Sequence, residues 1–264
     1  MTSHETEISG DWGGFQPRPY LEQWYRQVTP EITATLDFLR AAHGALPPGA
    51  LVLDVCSGPT IYQFLAAAPR AAAIHASDYL PQNLAELGRW LEAAPGAFDW
   101  SPVIAEALRL ELGRPPQATE IAGRAAEVRR AVTELLPCDL RQAQPLGPSQ
   151  RPIYDALSMC YGADSIFATL PEWEAAMRRC CAALKPGGAL IAAVIKNASW
   201  WALGGRRMQA VPLDEASVAA ALGRIGFAPA SLDLRAEQVA AADSEGYDEI
   251  IFITARLAAT GLTD

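Results

Sequence analysis

Apolar residues along this chain gather in short runs separated by amphipathic stretches. Residues 50–56 (ALVLDVC) are almost wholly apolar, with Gly49 before them and Gly58-Pro59 behind, the pattern of a strand buried on both faces of a sheet. Residues 71–78 (AAAIHASD) repeat the pattern and also end in an acid, and the interval leaves room for one helix over 61–68. Leu84, Leu87 and Leu91 recur at helical spacing within 80–94, residues 103–112 predict another helix, 113–117 (GRPPQ) a break and 118–135 a third helix before a short strand at 136–140. A strand over 154–160, a helix over 171–184 with proline in its first turn, a turn at 185–188 (KPGG) and a strand over 189–195 follow. A helix over 214–225 and a strand over 249–255 close the series.

Strands alternating with helices predict an α/β domain, a mainly parallel sheet with helices on both faces in the Rossmann-like manner. Upstream, residues 20–25 and 32–46 predict one or two helices. We expect one domain over 1–264, with a helical cap (1–48) over the carboxyl edge of a core (49–257), the edge where such sheets bind ligands.

Composition narrows the partners. Half of the 264 residues are hydrophobic and 19% are charged, a globular balance. Net charge is −9, and the adjacent basic pairs at 129–130, 178–179 and 206–207 are too scattered to hold a polyanion, so nucleic acid is not an expected partner. The longest apolar runs are strand-sized and residues 1–11 are polar, so a soluble cytoplasmic protein without a membrane partner is expected. Five cysteines, three of them (Cys56, Cys138, Cys160) at predicted strand ends, read as reduced buried thiols, and His4, His43 and His75 lack metal-ligand spacing, so no metal is expected.

The loop at 54–60 (DVCSGPT) follows the first strand, and its glycine and serine let backbone approach a ligand closely. Asp78 stands 24 residues beyond Asp54 at the end of the second strand, where such folds hold a ribose diol. A dinucleotide would need a fuller set of glycines for its pyrophosphate, whereas Gly58 is followed by Pro59, which has no N–H. An adenosine cofactor without phosphates fits better.

Five segments carry a resemblance: PRPYLEQWY, DVCSGPTIYQFL, SDYLPQNLAELGRWLEAAPGAFDWSPV, LPCDLRQAQPLG and LKPGG stand in order along the chain. Over residues 20–256 the chain resembles the small-molecule N-methyltransferases that act on nicotinamide, phenylethanolamine, thioethers and indolethylamines. The resemblance implies the class I methyltransferase fold with a seven-stranded sheet, and S-adenosylmethionine as cofactor. It further implies that Tyr20 and Tyr25 reach the methionine carboxylate, that Ser57, Gly58, Thr60 and Tyr62 line the methionine end, that Asp78, Tyr79 and Asn83 serve the ribose, and that Asp139 and Leu140 meet the adenine.

Departures from the family bear on the acceptor. Cys56 stands where the family has the first glycine of its cofactor loop. Asp164 is the nearest match to an acid that holds the substrate amine, and with Tyr20 it is the expected catalytic residue. A second family acid would fall near Val194 and is missing. Trp200, Trp201 and Tyr247 occupy expected substrate positions, with Asp248 or Glu249 turned inward or solvated. The resulting expectation is methylation of a small-molecule amine, in bacterial secondary metabolism. Two alternatives stay open: attack of the cofactor's own α-amine on its γ-carbon, giving azetidine-2-carboxylate and methylthioadenosine with the cofactor as sole substrate, or cofactor binding without catalysis.

Overall fold

A computed structural model describes residues 8–239 and 246–262; His4 lies outside them. In chain order the elements are β1 (Ile8–Ser9), α1 (Pro17–Trp24), α2 (Pro30–Gly44), β2 (Leu51–Val55), β3 (Ala73–Asp78), α3 (Pro81–Leu91), α4 (Ser101–Leu112), α5 (Ala118–Ala131), β4 (Val132–Pro137) and β5 (Tyr154–Cys160). Then come α6 (Leu170–Cys181), β6 (Leu184–Ile195), β7 (Trp200–Leu203), β8 (Arg206–Gln209), α7 (Glu215–Ile225), β9 (Asp233–Gln238) and β10 (Glu249–Arg256). The helix starts are written locally. Thr29 accepts a 3.2 Å hydrogen bond from the Ile32 N–H with Pro30 in the first turn of α2, and Thr169 and Glu172 form a reciprocal cap on α6.

Seven strands form one sheet in the order β4-β3-β2-β5-β6-β10-β9, parallel except for β10, which runs antiparallel to both neighbours. Side chains alternate across it and divide the interior into two cores. Val52, Ile74, Ala156, Ile191 and Phe252 face the side of α2, α3, α4 and α5, whereas Leu53, Val55, Leu157, Leu190 and Ile251 face α6 and α7. The chain runs β2 to β4 outward and then crosses to β5 on the other side of β2, so the order reverses there and the carboxyl ends of β2 and β5 flank a crevice. A second sheet, β1-β8-β7, lies outside the seven strands.

Some boundaries differ from the sequence expectation. Residues 61–68 form a single 3-10 turn (Tyr62–Phe64) and further turns, because Pro69 biases Ala68 away from the helix and Gln63 gives its side chain to the Ser57 carbonyl at 2.9 Å. The helix expected to 135 ends at Ala131, since Val132 and Thr133 are β-branched and Val132 pairs beside Ile74. The strand expected at 136–140 accordingly sits earlier, as β4. β9 carries alternating charged and apolar residues on a sheet edge, and so lacks the apolar run that betrays a buried strand. No helix among the described residues is long and apolar enough to cross a membrane. The five cysteines are free thiols, four of them buried and Cys56 partly exposed.

Candidate active site

A cavity of about 430 Å³ opens over the carboxyl ends of β2, β3, β4 and β5. Its floor is the turn after β2. Cys56 and Gly58 both take left-handed backbone, φ 59° and 60°, and no atom lies within 4 Å of where a Gly58 Cβ would stand, which leaves the backbone open to a ligand. Below the turn, the Ser57 hydroxyl donates to Asp54 at 2.5 Å, the Ser57 N–H donates to the Ser77 carbonyl at 2.9 Å, and the Thr60 hydroxyl donates to the Ser57 carbonyl at 2.8 Å. Burial pushes Asp54 up to about 7, and the Ser57 and Gln63 hydrogen bonds oppose the rise.

Asp78 ties three segments together. Its carboxylate accepts from the Gly58 N–H at 2.8 Å, the Leu80 N–H at 2.8 Å and the Asn83 amide at 3.0 Å. Burial raises its pKa, and these donors counter that by favouring the anion. The Asn83 carbonyl oxygen is buried with no partner and needs a donor. At the far end, Leu140 is buried and Asp139 accepts from the Arg141 guanidinium at 2.8 Å. Burial alone would raise Asp139, but the Arg141 contacts hold it below the usual carboxylate range. Arg141 also lies 4.3 Å from the ring centre of Tyr79, which is half exposed.

Aromatic rings close the other end. Tyr25 stacks on Tyr62 at 5.4 Å, and Tyr20 meets Tyr25 edge-on at 5.8 Å with their hydroxyls 3.4 Å apart. Burial pushes Tyr20 up to about 12 and Tyr25 well above its usual value, so both stay protonated donors. Behind them lies a smaller compartment of about 150 Å³, which shares Tyr20, Tyr25, Tyr161 and Trp201 with the main cavity and adds Trp24, Glu31 and Tyr247. The Tyr247 hydroxyl donates to Glu31 at 2.9 Å.

The cofactor-side positions expected from the sequence converge: Tyr20, Tyr25, Cys56, Ser57, Gly58, Thr60, Tyr62, Asp78, Tyr79, Asn83, Asp139 and Leu140 all line the main cavity. Several acceptor-side positions do not. Asp164 is fully buried and lines neither compartment; one carboxylate oxygen accepts from the Ile195 N–H at 3.0 Å and the other has no partner. After the left-handed Tyr161 (φ 56°), the chain makes a 3-10 turn at Ala163–Ser165 in which Asp164 is buried and turned away from both compartments. Val194 packs in the core with α6 and α7, and strand alternation presents Ile195 instead. Trp200 faces away, with the Arg207 guanidinium 4.3 Å from its ring, whereas Trp201 borders both compartments and Tyr247 the smaller one. Asp248 is exposed, and Glu249 pairs with Lys196 at 3.2 Å.

Sequence reasoning passed over Trp12 and Phe15, which wall the main cavity, and Glu31 and Tyr161. A tryptophan and a phenylalanine among glycines (Gly10-Asp11-Trp12-Gly13-Gly14-Phe15) were the available signal for the first pair.

Two predictions arise here. Burial raises Asp164 to about 7 from an ordinary 3.8. Between those values the unfolded chain ionises while the folded chain holds its proton, so native stability falls as pH rises through that window and levels off above it. Asp164→Asn is expected to remove this fall, lifting the thermal midpoint by about 2–4 °C at pH 8 and little at pH 4. A midpoint unmoved at pH 8 contradicts it. The second concerns Cys56. A Cβ on Gly162 would stand 2.8 Å from the Cys56 Cβ and 3.0 Å from the Met159 Cγ, so the thiol side chain and a side chain at 162 exclude each other. Gly162→Ala should destabilise the parent by about 1–3 kcal/mol and cost clearly less in a Cys56→Gly background. Equal losses by chemical denaturation would show that the two sites are independent.

The sheet order, the turn after β2 and the acid ending β3 together define a class I S-adenosylmethionine-dependent methyltransferase domain. The residues fit that cofactor: the partnerless Asn83 oxygen and the Asp78 carboxylate suit a ribose diol, and the open Gly58 backbone suits the methionine arm. Comparison places the chain within the class. It matches the pattern of the NNMT/PNMT/TEMT family over residues 9–257 and belongs to that family. It is 34% identical to human nicotinamide N-methyltransferase over 238 residues, covering 86% of each chain. With mouse indolethylamine N-methyltransferase it shares 34% identity, covering 79% of this chain and 77% of the relative. Among solved folds, the Synechocystis magnesium protoporphyrin IX methyltransferase with bound SAM aligns with a TM-score of 0.53 at 15% identity, covering 90% of both chains. The protein is accordingly a transferase that uses S-adenosylmethionine. The cyclisation alternative finds no support among these relatives, which bear N-methyltransferase names.

Proposed function

We propose that the chain methylates the nitrogen of a small amine that carries an aromatic or apolar group. The observation that carries this reading is the pair of joined compartments: one with an acid, an amide and open backbone for the cofactor, the other walled by aromatic rings, with Tyr20, Tyr25, Tyr161 and Trp201 common to both. The relatives' names, nicotinamide and indolethylamine N-methyltransferase, support a small nitrogen acceptor. Being animal enzymes, they lend nothing to a bacterial secondary-metabolic setting.

S-adenosylmethionine supplies an electrophilic methyl group on a sulfonium. In this reading Asp78 and Asn83 hold the ribose, Ser57, Gly58, Thr60 and Tyr62 line the methionine arm, and the Tyr20 and Tyr25 hydroxyls donate to its carboxylate. Tyr79, Asp139 and Leu140 flank the adenine. The aromatic faces attract a cation, at about 0.5–2 kcal/mol each. Fixing nitrogen and methyl carbon in line supplies about 7–11 kcal/mol, so positioning by these walls dominates and no strong acid is needed. The test is release of S-adenosylhomocysteine: it should rise on adding arylalkylamines and stay at background with the matching alcohols. Equal release with amines and alcohols, or none with any amine, overturns the reading.

A further inference from the structure

The one acid that the sequence offered for the acceptor, Asp164, accepts instead from the Ile195 backbone, and Val194, at the position of the missing second acid, packs in the core. The acceptor compartment nevertheless contains a carboxylate. Among the described residues lining it, Glu31 is the only acid. We infer that Glu31 holds the acceptor nitrogen, making the compartment a site for a protonatable arylalkylamine rather than for a neutral amide; this rests on the amine-methylation reading above.

Glu31 is built for that task. It stands one residue beyond Pro30 in the first turn of α2, where the helix N-terminus favours the ionised carboxylate. The Tyr247 hydroxyl, from a strand start 216 residues away, donates to it at 2.9 Å and fixes its direction. The Glu31 charge is felt at Tyr20, Tyr25 and Tyr161, whose hydroxyls are all pushed upward by burial first and by that charge second or later. One carboxylate therefore lies among four tyrosines, with the Trp24 and Trp201 rings 6.4 Å apart on the same wall. A carboxylate supplies the charge and aromatic faces add attraction for an alkylammonium, neither of which a neutral carboxamide returns with a charge of its own. Tyr20 borders Glu31's compartment and the cofactor cavity alike. For transfer the bound ammonium would pass its proton to the Glu31 carboxylate, and the freed lone pair would form the N–C bond as the methyl–sulfur bond breaks and S-adenosylhomocysteine leaves.

The test is calorimetry on the full chain with S-adenosylhomocysteine bound, using 2-phenylethylamine, charged at neutral pH, and the neutral 2-phenylethanol as probes. The parent should bind the amine at least about tenfold more tightly than the alcohol, the scale of one charge-assisted hydrogen bond. Glu31→Gln should abolish that preference while leaving affinity for the alcohol and for S-adenosylhomocysteine within about twofold. Tyr247→Phe, which keeps the carboxylate but removes that one donor, should narrow the preference without removing it. Equal affinity of the parent for the two probes, including no binding of either, overturns the inference, as does a preference that survives Glu31→Gln. Failure of S-adenosylhomocysteine to bind the parent defeats the cofactor reading instead, so the two failures are told apart.

Discussion

Asp78→Ala is expected to weaken S-adenosylmethionine binding roughly a hundredfold while the chain still folds. In the proposed reading the carboxylate accepts from the ribose diol, and a charged acceptor contributes about 1.5–3 kcal/mol to such bonds, with 1.4 kcal/mol equal to tenfold. It also fixes the turn itself through the Gly58 and Leu80 N–H groups and orients Asn83, so its removal loosens the methionine side as well. Asp78→Asn, which keeps the shape but forces an amide to face donors, should fall between. Calorimetric affinity within twofold of the parent for Asp78→Ala would remove Asp78 from the ribose site.

Tyr20→Ala is expected to lower kcat/KM about a hundredfold, and Tyr20→Phe about tenfold or less. The ring contacts Phe15 at 5.3 Å and Tyr25 at 5.8 Å and borders both compartments, so its loss removes a cation-attracting face and opens the wall between cofactor and acceptor. Phenylalanine keeps the face and loses only the hydroxyl, which lies 3.4 Å from that of Tyr25. Steady-state rates that leave Tyr20→Ala within threefold of the parent would show that Tyr20 is a lining residue without a part in transfer.

The legible parts of this molecule are those that physics writes locally. β2, β3, β5 and most of β6 are buried on both faces and therefore read as apolar runs, and the cofactor turn and Asp78 lie on consecutive strands at a fixed spacing. The edge strand β9 was hidden because half-exposed strands keep charged residues, and the small sheet that carries Trp201 because its strands, of 2, 4 and 4 residues, are too short to show a period. Acceptor chemistry was hidden for another reason. Glu31 and Tyr247 are 216 residues apart, and only the packing of α2 against β6 and β10 brings them together. Asp164 matched a substrate-holding acid through the family resemblance, and nothing in its local sequence announces the left-handed Tyr161 or the burial of the acid three residues on.

The central claim is that a methyl group passes from S-adenosylmethionine to an amine nitrogen, and isotope transfer tests it most directly. Purified protein is incubated with trideuteromethyl-labelled cofactor and a set of arylalkylamines, and the products are read by mass spectrometry with fragmentation. The account predicts the intact labelled methyl on the amine nitrogen, with one S-adenosylhomocysteine formed for each methylated amine. Label on carbon or oxygen, or methylthioadenosine formed without any methylated amine, would contradict it.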